Sequence, residues 1–552
     1  MKFRKYIAIL SIICLLATGT APVIKNINTI TAIAENEQSY ENLYYTITEE
    51  NTITITGYEN LEETLVIPTE INHLPVTSIG NNAFAGCTGL VSVSIPEGIT
   101  RLERDAFKAC TSLISIQLPD SLEIIEDSAF QDCIVLKNIN LPSNLKFIGD
   151  SAFWCCYELE QVTMHDNVTE IEKNAFAYCE SLHSVKLSEN LDIIHYGLFH
   201  DCTSLEEIIL PENIISIESY AFYNSGLTEI EIPEQVQEID SYAFSKTALQ
   251  SVLFKGKMLN TLGFCAFAFC TNLKTVILPE QMQLMGERAF ESCTMLSELT
   301  LPKKLTSIPE RVFLNCSALQ SVRFPEDLDY IGREAFACTG LTSVILPETM
   351  ITLETAGFYQ CENLSQVYLP KNLNYIGDSC FEYTALTEIT IPEAIKQIKY
   401  RTFYGNMKIN HISIPESVKS IEAEAFNCEI NQITILNPDC EIAEDSGIFG
   451  NAKIIGYENS TAQAYAEKDN LEFEILRELS QLVWGDANND NQTDILDIIL
   501  INKIILGQKI ITEQVQKNCD TNQDNMIDAI DSLNIMKLIV HLLTEQDFPI
   551  EK

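Results

Sequence analysis

Leu113-Ile114-Ser115-Ile116-Gln117-Leu118-Pro119-Asp120-Ser121-Leu122-Glu123-Ile124-Ile125-Glu126-Asp127-Ser128-Ala129-Phe130-Gln131-Asp132-Cys133 is the stretch that decides the fold. Ile116 and Leu118 alternate with Ser115 and Gln117, the period of a strand with one buried face. Pro119 ends it, because proline cannot donate to a ladder. Leu122 and Ile125 start a return path, and Ala129-Phe130 turns the chain back with the ring pointing inward. The unit recurs: seventeen phenylalanines from Phe84 to Phe449 are separated by thirteen intervals of 23 residues and three of 22. Thirteen repeats keep the proline, from Pro68 to Pro415. One coil cannot bury its apolar side alone, so neighbours must stack, and the period predicts a β-rich solenoid with a parallel sheet.

The cysteines follow the same phase. Ten of the 18 stand three residues after a repeat phenylalanine, from Cys87 to Cys361, and Cys338 and Cys428 stand two after one. A set tied to the repeat reads as a ladder of small buried thiols rather than a disulfide plan.

Charge bounds the partners. Over 552 residues the formal net charge is −43, a field that repels a phosphate backbone, so nucleic acid is not an expected partner. The 46% of hydrophobic residues argues against disorder. Acidic residues follow many repeat prolines, as at Glu97, Asp120, Glu212 and Glu280, and read as a solubilising ridge. At the N-terminal end, Met1 to Lys5 is basic, Tyr6 to Leu16 is an apolar run too short to span a bilayer, and Ala32-Ile33-Ala34 is a small-x-small site. This predicts a secretory signal peptide over 1–34, with a cut after Ala21 as the shorter alternative. No later segment reads as a membrane span, so the expectation is a secreted, extracellular protein.

Beyond Leu482 a second motif appears twice, 34 residues apart. Asp486, Asn488, Asp490, Gln492, Asp494 and Asp497 occupy loop positions 1, 3, 5, 7, 9 and 12. Asp520, Asn522, Asp524, Met526, Asp528 and Asp531 repeat the pattern. Side-chain oxygens at 1, 3, 5, 9 and 12, with a backbone carbonyl at 7, suit a hard cation taking six or seven oxygens, so each loop is expected to hold one Ca2+. Asn491 and Asn525 stand where glycine usually makes the turn, and asparagine tolerates the left-handed conformation. Apolar helices follow, over 498–506 and 533–542.

The repeat resembles the BspA-like leucine-rich repeats of bacterial surface proteins from residue 44 to about 476. Thr54-Ile55-Thr56-Gly57-Tyr58 and Val66-Ile67-Pro68 look like that family's N-terminal cap, and Ile455-Gly456-Tyr457 with Ala462 to Ala466 looks like its terminal segment. The loop-helix pair after Trp484-Gly485-Asp486 is similar to type I dockerins, which it matches in aspartate at position 12 and in lacking an entering helix. The expected organisation is a signal peptide 1–34, N-terminal cap 35–77, repeats 78–453, C-terminal cap 454–476, linker 477–483 and a small all-α dockerin 484–545.

The dockerin resemblance implies calcium-dependent docking onto a cohesin module of a scaffoldin, in a cellulosome or similar polysaccharide-degrading complex. It assigns cohesin selection to Ile495, Leu496 and Lys503 in one copy and to Ala529, Ile530 and Lys537 in the other. Solvated helix charge is the equal alternative for the two lysines.

On the solenoid, one outward row of the main sheet gathers Ile209, Leu253, Ile277, Ile345 and Tyr368. Such a row is either β-propensity on a solvated sheet or a binding face for a protein or glycan ligand. Catalysis is not expected. The seven histidines are scattered without metal-ligand spacing, and there is no nucleophile elbow or Gly-rich phosphate loop. The reading is a non-catalytic binding protein; a cell-surface adhesin and a cryptic polysaccharide hydrolase are its rivals.

Overall fold

Ser115–Gln117 pairs in parallel with Ser92–Ser94, one coil earlier, with Ile116 beside Val93 in the core and Gln117 beside Ser94 outside. The computed structural model describes residues 37–59, 62–426, 430–444, 448–476, 484–488, 492–506, 509, 513–522 and 526–539. The expected signal peptide, the linker 477–483, Cys428, Asp490 and Asp524 lie outside these residues. The chain forms two units, Met1–Glu474 and Ile475–Lys552.

In the first unit most coils carry two short parallel strands; the first is reduced to an isolated bridge at Asn138 and Arg323 and is absent over 206–210 and 387–391. The first is the one that the alternating pattern predicts. The second comes from what the sequence suggested only as a return path: Ile124–Ile125 pairs with Arg101–Leu102 on one side and Phe147–Ile148 on the other. Leu102, Ile125 and Ile148 are fully buried. Between the two ladders the repeat phenylalanines form one continuous stack, as with Phe130 and Phe153, whose centroids are 5.2 Å apart at 12°.

The turn that carries each ring is built from left-handed residues. Two positions before and two after the phenylalanine, φ is positive, as at Asp105 and Ala109 around Phe107 and at Ser128 and Asp132 around Phe130. Between them the chain bonds to the next coil, with Phe107 N–H donating to Ala129 O at 2.8 Å and Ala109 N–H to Gln131 O at 2.7 Å.

The cysteine ladder completes the core. Cys110 Sγ donates to Phe84 O at 3.2 Å, Cys133 to Phe107 O at 3.2 Å and Cys156 to Phe130 O at 3.3 Å. Where cysteine is missing, Asn406 Nδ2 does the same, reaching Phe381 O at 2.7 Å and Phe403 O at 3.0 Å. All 16 described cysteines are free thiols, and all but half-buried Cys338 are buried.

Both ends are covered. At the start, antiparallel Leu43–Ile47 and Ile53–Tyr58 precede the first parallel pairing, of Ile53–Tyr58 with Leu74–Ile79, and Tyr58 stacks on Phe84. At the other end α1 (Thr461–Asp469) is capped by Ser460, whose side chain accepts from Gln463 N–H. It buries Ala462, Tyr465 and Ala466, and the Tyr465 ring meets Phe449 edge-on at 5.2 Å. Open solenoid ends expose core and unpaired strand edges, and these segments remove both.

The second unit holds α2 (Ile495–Ile505), α3 (Glu513–Cys519) and α4 (Ala529–Ile539). Ile498, Ile501 and Ile504 on α2 pack with Val515, Cys519 and Ile535. Among the described residues no helix is long and apolar enough to cross a membrane.

Candidate functional site

The last aspartate of each duplicated loop fastens the loop to its helix. Asp497 is fully buried; its Oδ1 accepts from Ala487 N–H at 2.9 Å and Asn488 N–H at 3.1 Å, and its Oδ2 from Asp494 N–H at 2.8 Å. Asp494 in turn caps α2, accepting from Leu496 N–H at 2.7 Å in a reciprocal box with Asp497.

The second copy repeats the design. Asp531 Oδ1 accepts from the Thr521 amide and hydroxyl, both at 2.7 Å, and its Oδ2 accepts from Asp528 N–H at 3.0 Å. Asp528 Oδ1 caps α4 through Ile530 N–H at 2.7 Å.

The start of the first loop is tied to the end of α3, just ahead of the second loop. Gly485 N–H donates to Asn518 O at 2.8 Å, and Asn518 Nδ2 donates to Asp486 O at 2.9 Å. Gly485 has φ +92°, and a Cβ there would meet Thr493 Cγ2 at 2.6 Å and Ile535 Cγ2 at 2.7 Å, so both conformation and space require glycine. Cys519 is buried beneath this junction. Burial, then the nearby carboxylates Asp497, Asp486 and Asp531, push its thiol pKa well above the usual value.

Asp486, Asp497, Asp520 and Asp531 are all buried in this one small unit. The amides answer the Asp497 and Asp531 carboxylates, and the side chains of the loops offer oxygen donors, the chemistry that suits a calcium ion. Asp494 and Asp528 are half-buried, Asn488 and Gln492 are exposed, and Asn522 is half-buried. Met526 is 59% exposed, as suits a residue whose contribution is its carbonyl.

The residues assigned to partner selection point outward. Ile495 and Leu496 are 59% and 57% exposed, Ile530 is 52% exposed, and Ala529 and Lys503 are exposed, while Lys537 is half-buried. Ile499 and Leu506 on or next to α2, and Leu533 and Met536 on α4, are exposed as well and were not singled out from sequence. The signal was there: Ile499 is four residues after Ile495, and Leu533 three after Ile530, so they share a helix face.

On the solenoid, Leu253, Ile277 and Ile345 stand out of sheet strands, and Ile209 is exposed in a segment that forms no strand. Leu253 is opposite Glu231 and Ile345 is opposite Tyr368. Tyr368 differs from the other four. It is half-buried, and its hydroxyl donates to Glu348 Oε1 at 2.7 Å, which raises its pKa. His195 and His200 take part in the surface of the turns: His195 Nδ1 is 3.2 Å from Glu218, and the His200 ring stacks on Tyr223 at 4.9 Å.

Comparison with known proteins agrees with this division. The model of the BspA type leucine rich repeat region matches residues 58–183, 169–261, 242–356 and 331–454, and the model of the dockerin type I domain matches 484–540. No curated protein matches the chain. A solved leucine-rich repeat protein from Bacteroides ovatus is 25% identical, with 80% of this chain and 100% of that one covered and a TM-score of 0.57. A leucine rich cell surface protein from Faecalibacterium prausnitzii is 27% identical over 62% of this chain and 96% of that one, with a TM-score of 0.42. Neither matched family is catalytic, and dockerin type I domains are a calcium-binding family that docks onto cohesins. With well over half of its length under the repeat model, the chain belongs to the BspA type leucine rich repeat family, and it carries a type I dockerin domain after the repeats.

Proposed function

We propose that this is a secreted, non-catalytic component of a scaffoldin-based, polysaccharide-degrading complex. The dockerin domain attaches it to a cohesin, and the solenoid serves as a binding module for a protein or a glycan. The observation that carries the reading is the duplicated loop, closed each time by a buried aspartate and followed each time by a helix with an exposed apolar face.

Each loop is assigned one Ca2+. Asp486, Asn488, Asp490, Asp494 and Asp497, with the Gln492 carbonyl, hold the first. Asp520, Asn522, Asp524, Asp528 and Asp531, with the Met526 carbonyl, hold the second. Bound calcium supplies the positive charge that lets the buried carboxylates converge. The chain's own residues do the rest: Asp494 and Asp528 start the helices, and those helices present Ile495, Leu496, Ala529 and Ile530 to the cohesin.

The test is calorimetric titration of the purified protein against a panel of cohesins with calcium and with chelator. Binding in calcium that disappears with chelator is the expected result. Absence of binding to every cohesin in calcium ends the docking reading, and hydrolysis of plant polysaccharide by the protein ends the non-catalytic one.

A further inference from the structure

The outward row of the first sheet runs Lys186, Ile209, Glu231, Leu253, Ile277 and Thr300 through its middle coils. Ile209 is 85%, Leu253 55% and Ile277 72% exposed, whereas the row is polar in the earlier coils, as at Gln117 and Thr163. Leu253 and Ile277 lie on adjacent paired strands, Ser251–Phe254 and Thr275–Ile277. Isolated exposed aliphatics need no explanation, but a run of them on one sheet face marks a contact surface.

The surface is also shaped. The ladder that contains Ser184–Lys186 ends there, the next begins at Glu229–Ile232, and residues 206–210 between them form no strand. A groove lies over this interruption, with Val185, Ile209 and Leu253 among its apolar walls and Glu207, Glu229 and Glu231 among its acidic ones. A second depression shares Glu207 and Glu229 with it and adds Glu160 and Glu206. Lys255 is the lysine in the groove lining, and it is already engaged: its Nζ is 3.0 Å from Glu212 and 2.9 Å from Glu231. The groove therefore combines exposed aliphatic side chains with carboxylates, and its lysine is already paired.

Charge selects the occupant. A second copy of this chain, at −43, is repelled, as is any acidic partner. A sugar ring stacks on an exposed aromatic face, and no aromatic residue lines the groove. We propose that the groove docks a basic, apolar polypeptide segment of a partner protein. Its aliphatic side chains would lie on Ile209, Leu253 and Ile277, and its ammonium or guanidinium groups would meet Glu206, Glu207 and Glu229. The proposal rests on reading the solenoid as a binding module and names the chemistry of what it binds.

The test uses the full chain and a fluorescent peptide of alternating lysine and leucine, read by anisotropy. Controls are a lysine-serine peptide and a glutamate-leucine peptide of the same length. Two variants change only exposed side chains, Ile209→Ser with Leu253→Ser and Ile277→Ser, and Glu207→Gln with Glu229→Gln; circular dichroism checks that each stays folded. The lysine-leucine peptide is expected to bind tightest, and each variant to weaken it roughly ten-fold, the loss typical of removing a cluster of contact residues. Equal binding by the lysine-serine peptide, or by both variants, means attraction to an acidic surface and overturns the proposal, as does no binding at all. A glycan array run alongside separates the levels: a glycan ligand without peptide binding overturns this proposal and leaves the binding-module reading standing. Cohesin docking is expected to be unchanged in both variants.

Discussion

Phe176 and Phe199 stack with their centroids 5.9 Å apart, against 5.2 Å for Phe153 and Phe176 one coil earlier. Leu198 stands before the second ring where the repeat usually has alanine. Val312, Thr402 and Ile448 replace the alanine in the same way, and the ring pairs entering their coils are 5.8, 5.8 and 6.0 Å apart. Coils led by alanine, glycine or cysteine keep their phenylalanine pairs at 5.6 Å or less. At Leu198, Val312 and Thr402 the second ladder also breaks just ahead of the coil: Glu170–Ile171, Leu284–Met285 and Tyr375–Ile376 are each the last strand of their sheet. A larger buried side chain holds neighbouring coils apart, and the strands with the fewest bonds give way first.

Leu198→Ala should therefore cost less than an ordinary buried leucine truncation. Leu182, in the preceding coil, is fully buried, and Leu182→Ala is expected to cost about 2–5 kcal/mol, because a packed array closes poorly over a cavity. At Leu198 the coils can approach to the regular spacing, and part of that loss is recovered. The reverse change, Ala129→Leu, overpacks a regular coil and should cost about 1–3 kcal/mol. Urea unfolding midpoints compare the three; equal costs for Leu182→Ala and Leu198→Ala would sink the wedge account.

Ala109 has φ +56°, a conformation that costs an L-residue about 1–2 kcal/mol relative to glycine. Ala109→Gly is expected to raise the unfolding midpoint by removing that strain. Ala129→Gly, at a buried position absent from the left-handed set, should lower it. Thermal unfolding of the two variants gives opposite shifts if the turn is built as described.

These turns show where sequence legibility stopped. The phase of the coil was readable because Phe130, Pro119 and Cys133 mark it by residue type. The left-handed positions were not, because Asp105 and Asn174 share the site with Tyr220, Arg288 and Arg311, which carry no turn preference. The pairing of Tyr368 with Glu348, a residue of the preceding coil, was equally hidden, since it depends on stacking rather than on the local pattern. The duplicated loops ahead of α2 and α4 were legible because their oxygen-bearing residues recur at fixed spacing. The apolar helix faces beyond Leu496 were visible in period, and their exposure depended on how α2 and α4 pack.

The thiols predict an alkaline limit to stability. Burial pushes Cys270, Cys316 and Cys361 up to about 12 from an ordinary 9.0. The folded state keeps these protons while the unfolded state loses them, so stability is intact below pH 9 and falls as pH rises from there through about 12. Circular dichroism across that range should show cooperative loss of structure. Thiol alkylation should be slow in the native protein at neutral pH and become complete in denaturant; full labelling of native protein would contradict the buried ladder.

Asp497→Asn should uncouple the first loop. The carboxylate accepts from Ala487, Asn488 and Asp494 amides, and an asparagine must present an NH2 to one side of that set. Loss of a buried, charge-assisted partner costs about 1–3 kcal/mol before calcium is considered. Calcium at a hundred times its dissociation constant adds about 2.7 kcal/mol to a folded binding state. The helical signal of the wild-type protein should therefore melt higher in calcium than in chelator, with a smaller gap in Asp497→Asn and a similar one in Asp531→Asn. An unchanged gap in both would remove these residues from the ion sites.

The internal symmetry of the two loops bears on how a cohesin is held. Asp497 and Asp531 close their loops through matching amides, and Ile495-Leu496 and Ala529-Ile530 occupy the same first turn of α2 and α4. Either helix then offers a cohesin an apolar face of similar design, although Ala529 buries less than Ile495. If each face suffices alone, Ile495→Asp with Leu496→Asp should weaken binding only slightly, as should Ala529→Asp with Ile530→Asp. All four changes together should abolish it, because a charge placed in an apolar contact has no partner. If one fixed contact spans both helices, each pair alone should produce a large and comparable loss. Calorimetric titration of the three variants in calcium separates the two cases, and a large loss from only one pair would show that the structural symmetry is not used in binding.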